Sequence, residues 1–172
     1  CRIVRADEVA HLLYEKGQEC YNKVVALLGV QILDGSGGID KKKMAELIFG
    51  NNALLEQVNA IVHPAVKNYI LAQIAYEKER REVNYFFIEA ALLIEEHYDK
   101  IVDELWYIHS DADIRKKRLA ANRQYSAQKI EGIMKGQLGE EEFRRHCQRI
   151  ILNNGNLEET YQQIKCIMGD EV

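Results

Sequence analysis

The sequence predicts an α/β protein built on a parallel sheet. Tyr85-Phe86-Phe87-Ile88 and Glu104-Leu105-Trp106-Tyr107-Ile108 are short apolar runs with almost no polar alternation, the pattern of strands buried on both faces. Arg149-Ile150-Ile151-Leu152 reads as a last short strand, and Ile3-Val4 as the middle of a first one. Segments with helical periodicity separate these runs, and strands separated by helices argue for a parallel arrangement.

The elements follow in order. After Ile3-Val4, Asp7 is expected to open an amphipathic helix whose stripe is Val9, Ala10, Leu12 and Leu13, with Gly17 as its stop. A second helix spans Glu19 to Leu28 and ends at Gly29. Asp34-Gly35-Ser36-Gly37-Gly38 is a turn cluster, and Asp40 caps a helix from Lys41 to Phe49. A long helical stretch from Asn52 to Arg81 is interrupted by His63-Pro64, where the proline is expected to kink it or start a new helix. Beyond the two central strands, helices over Asp111 to Asn122 and Ser126 to Lys135 carry a basic region. A third begins near Glu140 and leads into the last strand; Asn153-Asn154-Gly155 then turns into a final helix, Leu157 to Met168.

Composition narrows the class. A chain of 172 residues suffices for one domain with a substantial core, and 47% hydrophobic with 29% charged residues is ordinary for a soluble globular protein. The longest apolar run, Tyr85 to Ile94, contains Glu89 and is too short to span a bilayer. Cys1-Arg2-Ile3-Val4-Arg5 does not resemble a signal peptide, so the expected location is cytoplasmic, with no membrane partner. Neither a repeat nor a low-complexity tract is visible. The four cysteines, Cys1, Cys20, Cys147 and Cys166, form no close pair and read as reduced packing thiols rather than a disulfide framework or zinc site. No metal-ligand cluster is expected.

The net charge of −4 is unevenly spread: residues 115–149 hold ten Lys/Arg against four Glu, a net of +6, which leaves −10 elsewhere. A region that handles an anion explains this, and so does a solvated helix face. A nucleic-acid module is a competing reading, but the acidic balance and few aromatics near the arginines count against it.

In open parallel sheets ligands bind beyond the carboxyl ends of the strands. That rule selects Asp7, Glu89, Ser110 to Asp113, and Asn153-Asn154-Gly155. Two carboxylates at adjacent strand ends suit a general base beside a metal-organising acid. From spacing alone, a helix cap also explains Asp7 and a solvated strand end explains Glu89. Arg118, Arg123, Arg144 and Arg145 offer fixed forks for phosphate oxygens, or else surface pairs with Glu131 and Glu140 to Glu142. No G-x-x-x-x-G-K-[ST] loop occurs in these residues.

Taken together, the motifs resemble the dephospho-CoA kinase family across essentially the whole chain. Val4-Arg5-Ala6-Asp7-Glu8-Val9-Ala10 is similar to the family's "D-A-D-x-[IV]-A" segment, with Arg5 where the first acid is usual. Gly38-Ile39-Asp40-Lys41 through Ile48-Phe49, Val58-Asn59-Ala60-Ile61-Val62-His63-Pro64 and Glu89-Ala90-Ala91-Leu92-Leu93-Ile94-Glu95 resemble three further family stretches, Ala91 standing in for a motif proline. Arg118-Leu119 with Arg123, Gln137, and Ile151-Leu152-Asn153-Asn154-Gly155 resemble its lid and closing segment.

The resemblance implies a P-loop kinase fold, akin to nucleoside monophosphate kinases. That fold has a five-stranded parallel core, a helical CoA-binding excursion over about residues 17–81 and a lid over about 111–148, all within one domain, 1–172. It implies phosphoryl transfer from ATP, with magnesium, to the ribose 3′-hydroxyl of dephospho-CoA, by a protein expected to be monomeric. Asp7 matches the general base, and Arg118 and Arg123 match residues acting on the phosphates. Arg144 is a further phosphate contact, Asn154 and Gly155 lie near adenine, and His63 and Glu89 serve the acceptor side. A packing role for His63 remains open. The family's first strand and P-loop would precede Cys1. The chain is therefore expected to be an N-terminally shortened version, inactive without that loop, and a catalytically dead homologue acting as an interaction protein is the remaining alternative.

Overall fold

A computed structural model describes residues 1–123 and 126–169, with residues 122 and 123 described in backbone only. The chain divides into two compact units, Cys1–Ala91 and Leu92–Val172.

The first unit starts with strand β1 (Arg2–Arg5), which pairs in parallel with β2 (Phe86–Glu89) in the register Arg2↔Phe86 to Arg5↔Glu89. Between them run helices α1 (Ala6–Leu13), α2 (Glu19–Leu28), α3 (Lys41–Ile48) and α4 (Asn52–Arg80). β1 passes into α1 with no intervening residue, so the extended Arg5 holds the N-cap position and Asp7 sits inside the first turn. The expectation that Asp7 caps this helix is corrected on that ground.

Gly29, at φ 82°, lets the chain turn out of α2 into a short 3-10 turn, Val30–Ile32. At the turn cluster, Asp34 Oδ1 accepts from the amides of Ser36 and Gly38 and from the Ser36 hydroxyl. Gly37 turns there at φ 78°, and Tyr21 donates its hydroxyl to the Gly37 carbonyl. Asp40 caps α3 by accepting from the amides of Lys42 and Lys43.

α4 departs from expectation. Pro64 lies inside one continuous helix of 29 residues and neither ends nor restarts it. Val58, Val62, Val66 and Ile70 recur every fourth residue as its buried stripe, and α4 packs against α1, α2 and α3. Burial along that stripe outweighs the hydrogen bond that the proline removes. Together with Val4, Val9, Cys20, Val24, Leu28 and Ile32, the stripe forms the core of this unit.

In the second unit β3 (Trp106–His109) and β4 (Arg149–Leu152) also pair in parallel, from Trp106↔Arg149 to His109↔Leu152. They are joined through α5 (Ala112–Arg123), α6 (Ala127–Lys135) and α7 (Glu140–His146), and α8 (Leu157–Met168) follows β4 and packs on it. Ser126 caps α6 and Asn156 caps α8 through their side-chain oxygens. Tyr98, Leu105, Ile130 and Ile151 are buried here.

The four described strands form two parallel pairs, one in each unit, in keeping with the parallel α/β architecture expected. Burial on both faces is not met throughout: Ile3, Ile108 and Leu152 are each at least half exposed. In a two-stranded pair each strand is an edge, and a helix packed on one face leaves the alternate side chains of the other uncovered. Among the described residues no helix is long and apolar enough to cross a membrane.

Candidate active site

The carboxyl rim of the first unit is compact and charged. Arg5 and Glu89 end their strands as direct register partners. Arg5 Nε donates to Glu89 Oε2 at 3.1 Å, and its Nη1 donates to Glu8 Oε1 at 3.0 Å. These carboxylates, Glu8 foremost, raise the Arg5 guanidinium further above its ordinary value. Asp7 is exposed on the first turn of α1, between the two ends of this network in sequence but outside it among the described residues. The structure therefore brings Asp7 and Glu89 to one rim. His63 lies half-buried on α4 beside the buried Val62, a placement that leaves the packing role open.

At the other end of β1, Arg2 ties the strand to α4. Its Nη1 donates to Glu77 at 2.9 Å and its Nη2 to Gln73 at 2.6 Å. Glu77 is the one charged residue buried along that helix.

The rim of the second unit is knitted by polar groups. Arg118 Nη1 donates to the Asn153 carbonyl at 2.8 Å and to Ser110 Oγ at 3.2 Å, while Ser110 Oγ donates to the same carbonyl at 2.7 Å. Asn153 N reaches the His109 carbonyl at 2.7 Å, and Asp111 N donates to Asn154 Oδ1 at 2.8 Å. The asparagine pair therefore locks the ends of β3 and β4 together. Asn154, and then His109, hold the Asp111 carboxyl below its usual range.

His109 is buried with Nε2 at 3.1 Å from Asp111 Oδ1 and Nδ1 at 3.3 Å from the Tyr107 hydroxyl. The Tyr107 ring stacks on Phe143 of α7 at 4.7 Å between centroids. Arg144, on the same helix, donates to Glu140 at 2.7 Å. A Cβ on Gly155 would fall 1.8 Å from Glu159 Oε2, so that carboxylate lies directly over the glycine. An open depression of about 740 Å³ along α8 is lined by Asn156, Leu157, Glu158, Thr160, Tyr161 and Ile164. The side chain of Arg123 lies outside the described residues.

Some of this was missed in the sequence. Arg5 drew attention only as a departure from a motif, because its bond partner is 84 residues away. Arg115, whose buried Nε has no partner among the described residues and whose Nη1 donates to Gln137, was not singled out from its basic neighbours. The buried His109 gave no signal, since its environment depends on α7 folding over Tyr107.

A family model described as dephospho-CoA kinase matches residues 1–159. The dephospho-CoA kinase of Aquifex aeolicus is 34% identical over 95% of this chain and 81% of its own length, and that of Fusobacterium nucleatum is 30% identical over 95% and 82%. Among solved structures, TT1252 from Thermus thermophilus superposes with a TM-score of 0.79 at 21% identity, covering 99% of this chain and 85% of that one. A dephospho-CoA kinase from Campylobacter jejuni gives 0.59 at 21% identity, covering 97% and 83%. These two likenesses bear out the α/β fold. The comparisons lend no support to the expectation that the chain is an N-terminally shortened version.

Proposed function

The chain belongs to the dephospho-CoA kinase family, and we propose that it transfers the γ-phosphoryl group of ATP to the ribose 3′-hydroxyl of dephospho-CoA. Asp7 is the general base that accepts the hydroxyl proton as the oxygen attacks. The observation that supports this most is the exposed Asp7 carboxylate in the first turn of α1, two residues past the end of β1 and on the same rim as Glu89. An exposed, unbonded carboxylate at a strand end can approach an acceptor hydroxyl, which a buried or capping one cannot.

Among the described residues no three His, Cys, Asp or Glu cluster to hold a metal. Single carboxylates at a rim nevertheless suit magnesium, which keeps waters and is carried largely by nucleotide phosphates. Glu89 would orient its water, and the bound ion would neutralise charge on the phosphoryl group in transit. Arg118, Arg123 and Arg144 meet ATP phosphates. The Arg118 bonds go to neutral oxygens, so its charge is retained, and the Arg144–Glu140 pair is an exposed one that exchanges at little cost. Asn154 and Gly155 flank the adenine side, next to the depression along α8. His63 and the helices of residues 17–81 receive dephospho-CoA, and residues 111–148 act as the lid of a single kinase domain. We place the enzyme in the cytoplasm as a monomer, acting on neither nucleic acid nor membrane.

The test is Asp7→Asn. Turnover of dephospho-CoA should fall by roughly 10²–10⁴-fold, the usual worth of a positioned base, while ATP binding by calorimetry stays unchanged. Turnover within twofold of wild type removes Asp7 from the chemistry. Adenosine and AMP as acceptors should be used far less well than dephospho-CoA.

A further inference from the structure

At the rim of β1 and β2 Arg5 is bonded to two carboxylates, Glu8 and Glu89, and Asp7 is exposed on the same first helical turn as Glu8. We propose that Arg5 is a positioning residue, which fixes the Glu89 carboxylate and the first turn of α1 relative to each other. The proposal deepens the reading of that rim as the acceptor site and rests on it.

The geometry is specific. Arg5 uses two different nitrogens, Nε toward the end of β2 and Nη1 toward α1, so one rigid fork spans both elements that carry the candidate acids. The register helps, because Arg5 and Glu89 are direct partners across a parallel pair. The backbone helps too. Arg5 occupies the N-cap position in extended conformation and makes no side-chain cap bond, which frees its side chain to run sideways along the rim. Residues 5 and 8 are one helical turn apart and share a face, whereas Asp7 is turned about 100° from Glu8 around the axis. The fork therefore engages Glu8 and Glu89 and leaves Asp7 outside the network.

Compensation follows from the same arrangement. Without the guanidinium, Glu8 and Glu89 would stand as uncompensated like charges at a rim read as accepting an anionic acceptor. With it, Glu8 and Glu89 are paired and Asp7 keeps the free carboxylate. Each ion pair is exposed and screened, and such pairs add little to stability. The consequence of losing Arg5 belongs in turnover, not in folding.

Arg5→Ala should lower kcat about tenfold, with KM for dephospho-CoA and for ATP within about twofold and the thermal midpoint unmoved. Arg5→Lys, which keeps the charge but not the fork, should recover part of that loss. In a Glu89→Gln background, Arg5→Ala should cost no further kcat, because a residue acting through another is silent once its partner is neutralised. A second readout does not depend on activity: the Arg5 Nε–H resonance should move in Glu89→Gln and stay in Glu46→Gln. An unchanged kcat, a full additive loss in the double variant, or a resonance indifferent to Glu89 overturns the positioning role alone. A wild-type protein inert toward dephospho-CoA overturns that role together with the reaction it serves.

Discussion

Arg118 and Arg144 look alike in the sequence, as basic residues on helices of a basic region, yet their surroundings differ. Arg118 Nη1 is bonded to the Asn153 carbonyl and to Ser110 Oγ, which is itself buried, so its side chain also holds two strand ends together. Among the described residues Arg144 forms its ion pair with Glu140, one turn away on the same helix. Replacing Arg118 by Ala should therefore cost about 0.5–1.5 kcal/mol of stability in urea unfolding, the usual net worth of such bonds, and raise KM for ATP as well. Arg144→Ala should raise KM for ATP with stability unchanged within about 0.5 kcal/mol. Equal stability in the two variants would show that Arg118 does not secure the rim. Strand-end position was legible at this scale, and it suffices to select Asp7 and Glu89 as candidates at the rim. Bond partners were not, because Arg5 meets Glu89 across 84 residues and Arg118 meets Asn153 across 35.

Helix α4 shows where local rules lose to packing. A proline in a helix interior costs about 3 kcal/mol, and read locally His63-Pro64 is a breaker. The structure runs through it as one helix because Val58, Val62, Val66 and Ile70 bury a stripe on both sides of the proline. Pro64→Ala should restore the missing amide and raise unfolding free energy by about 1–3 kcal/mol, read as a higher urea midpoint with the same slope. A lower midpoint would mean that the pyrrolidine ring itself fills space against the neighbouring helices. Caps and glycine stops were read more securely. Asp40 and Gly29 each act within a few residues of themselves, so the sequence around them already holds the whole interaction. The cap of α1 misled because no loop separates it from β1, and the cap position falls on the last strand residue, Arg5.

For the whole chain, strand–helix alternation was enough to read α/β parallel architecture, since unbroken apolar runs leave few other folds. The pairing of β1 with β2 across four helices, and the open faces at Ile3 and Ile108, depend on long-range contacts and could not be read from it. The distribution of charge sets a pH profile for the entire molecule. Glu19 is held below its usual range chiefly by Lys23, Asp34 by the Ser36 hydroxyl, Glu104 by Arg149 and Asp111 by Asn154. Each is depressed in the folded state, so its contribution is present above the unfolded pKa and is lost as pH falls through the lower folded value. On the alkaline side burial pushes Tyr14 from its ordinary 10.0 up to about 12 and raises the Cys20 thiol above 9.0. Between those values the unfolded chain has released protons that the folded one keeps, so stability declines as pH rises through that window. Urea midpoints should accordingly be level from about pH 6 to about pH 8.5 and fall below about pH 4.5 and above about pH 9.5. Glu104→Gln should flatten the acid limb, because it removes one of the carboxylates whose protonation unfolding favours. A midpoint that rises on acidification below pH 4, or an acid limb of unchanged steepness in Glu104→Gln, would contradict this assignment of the surface pairs.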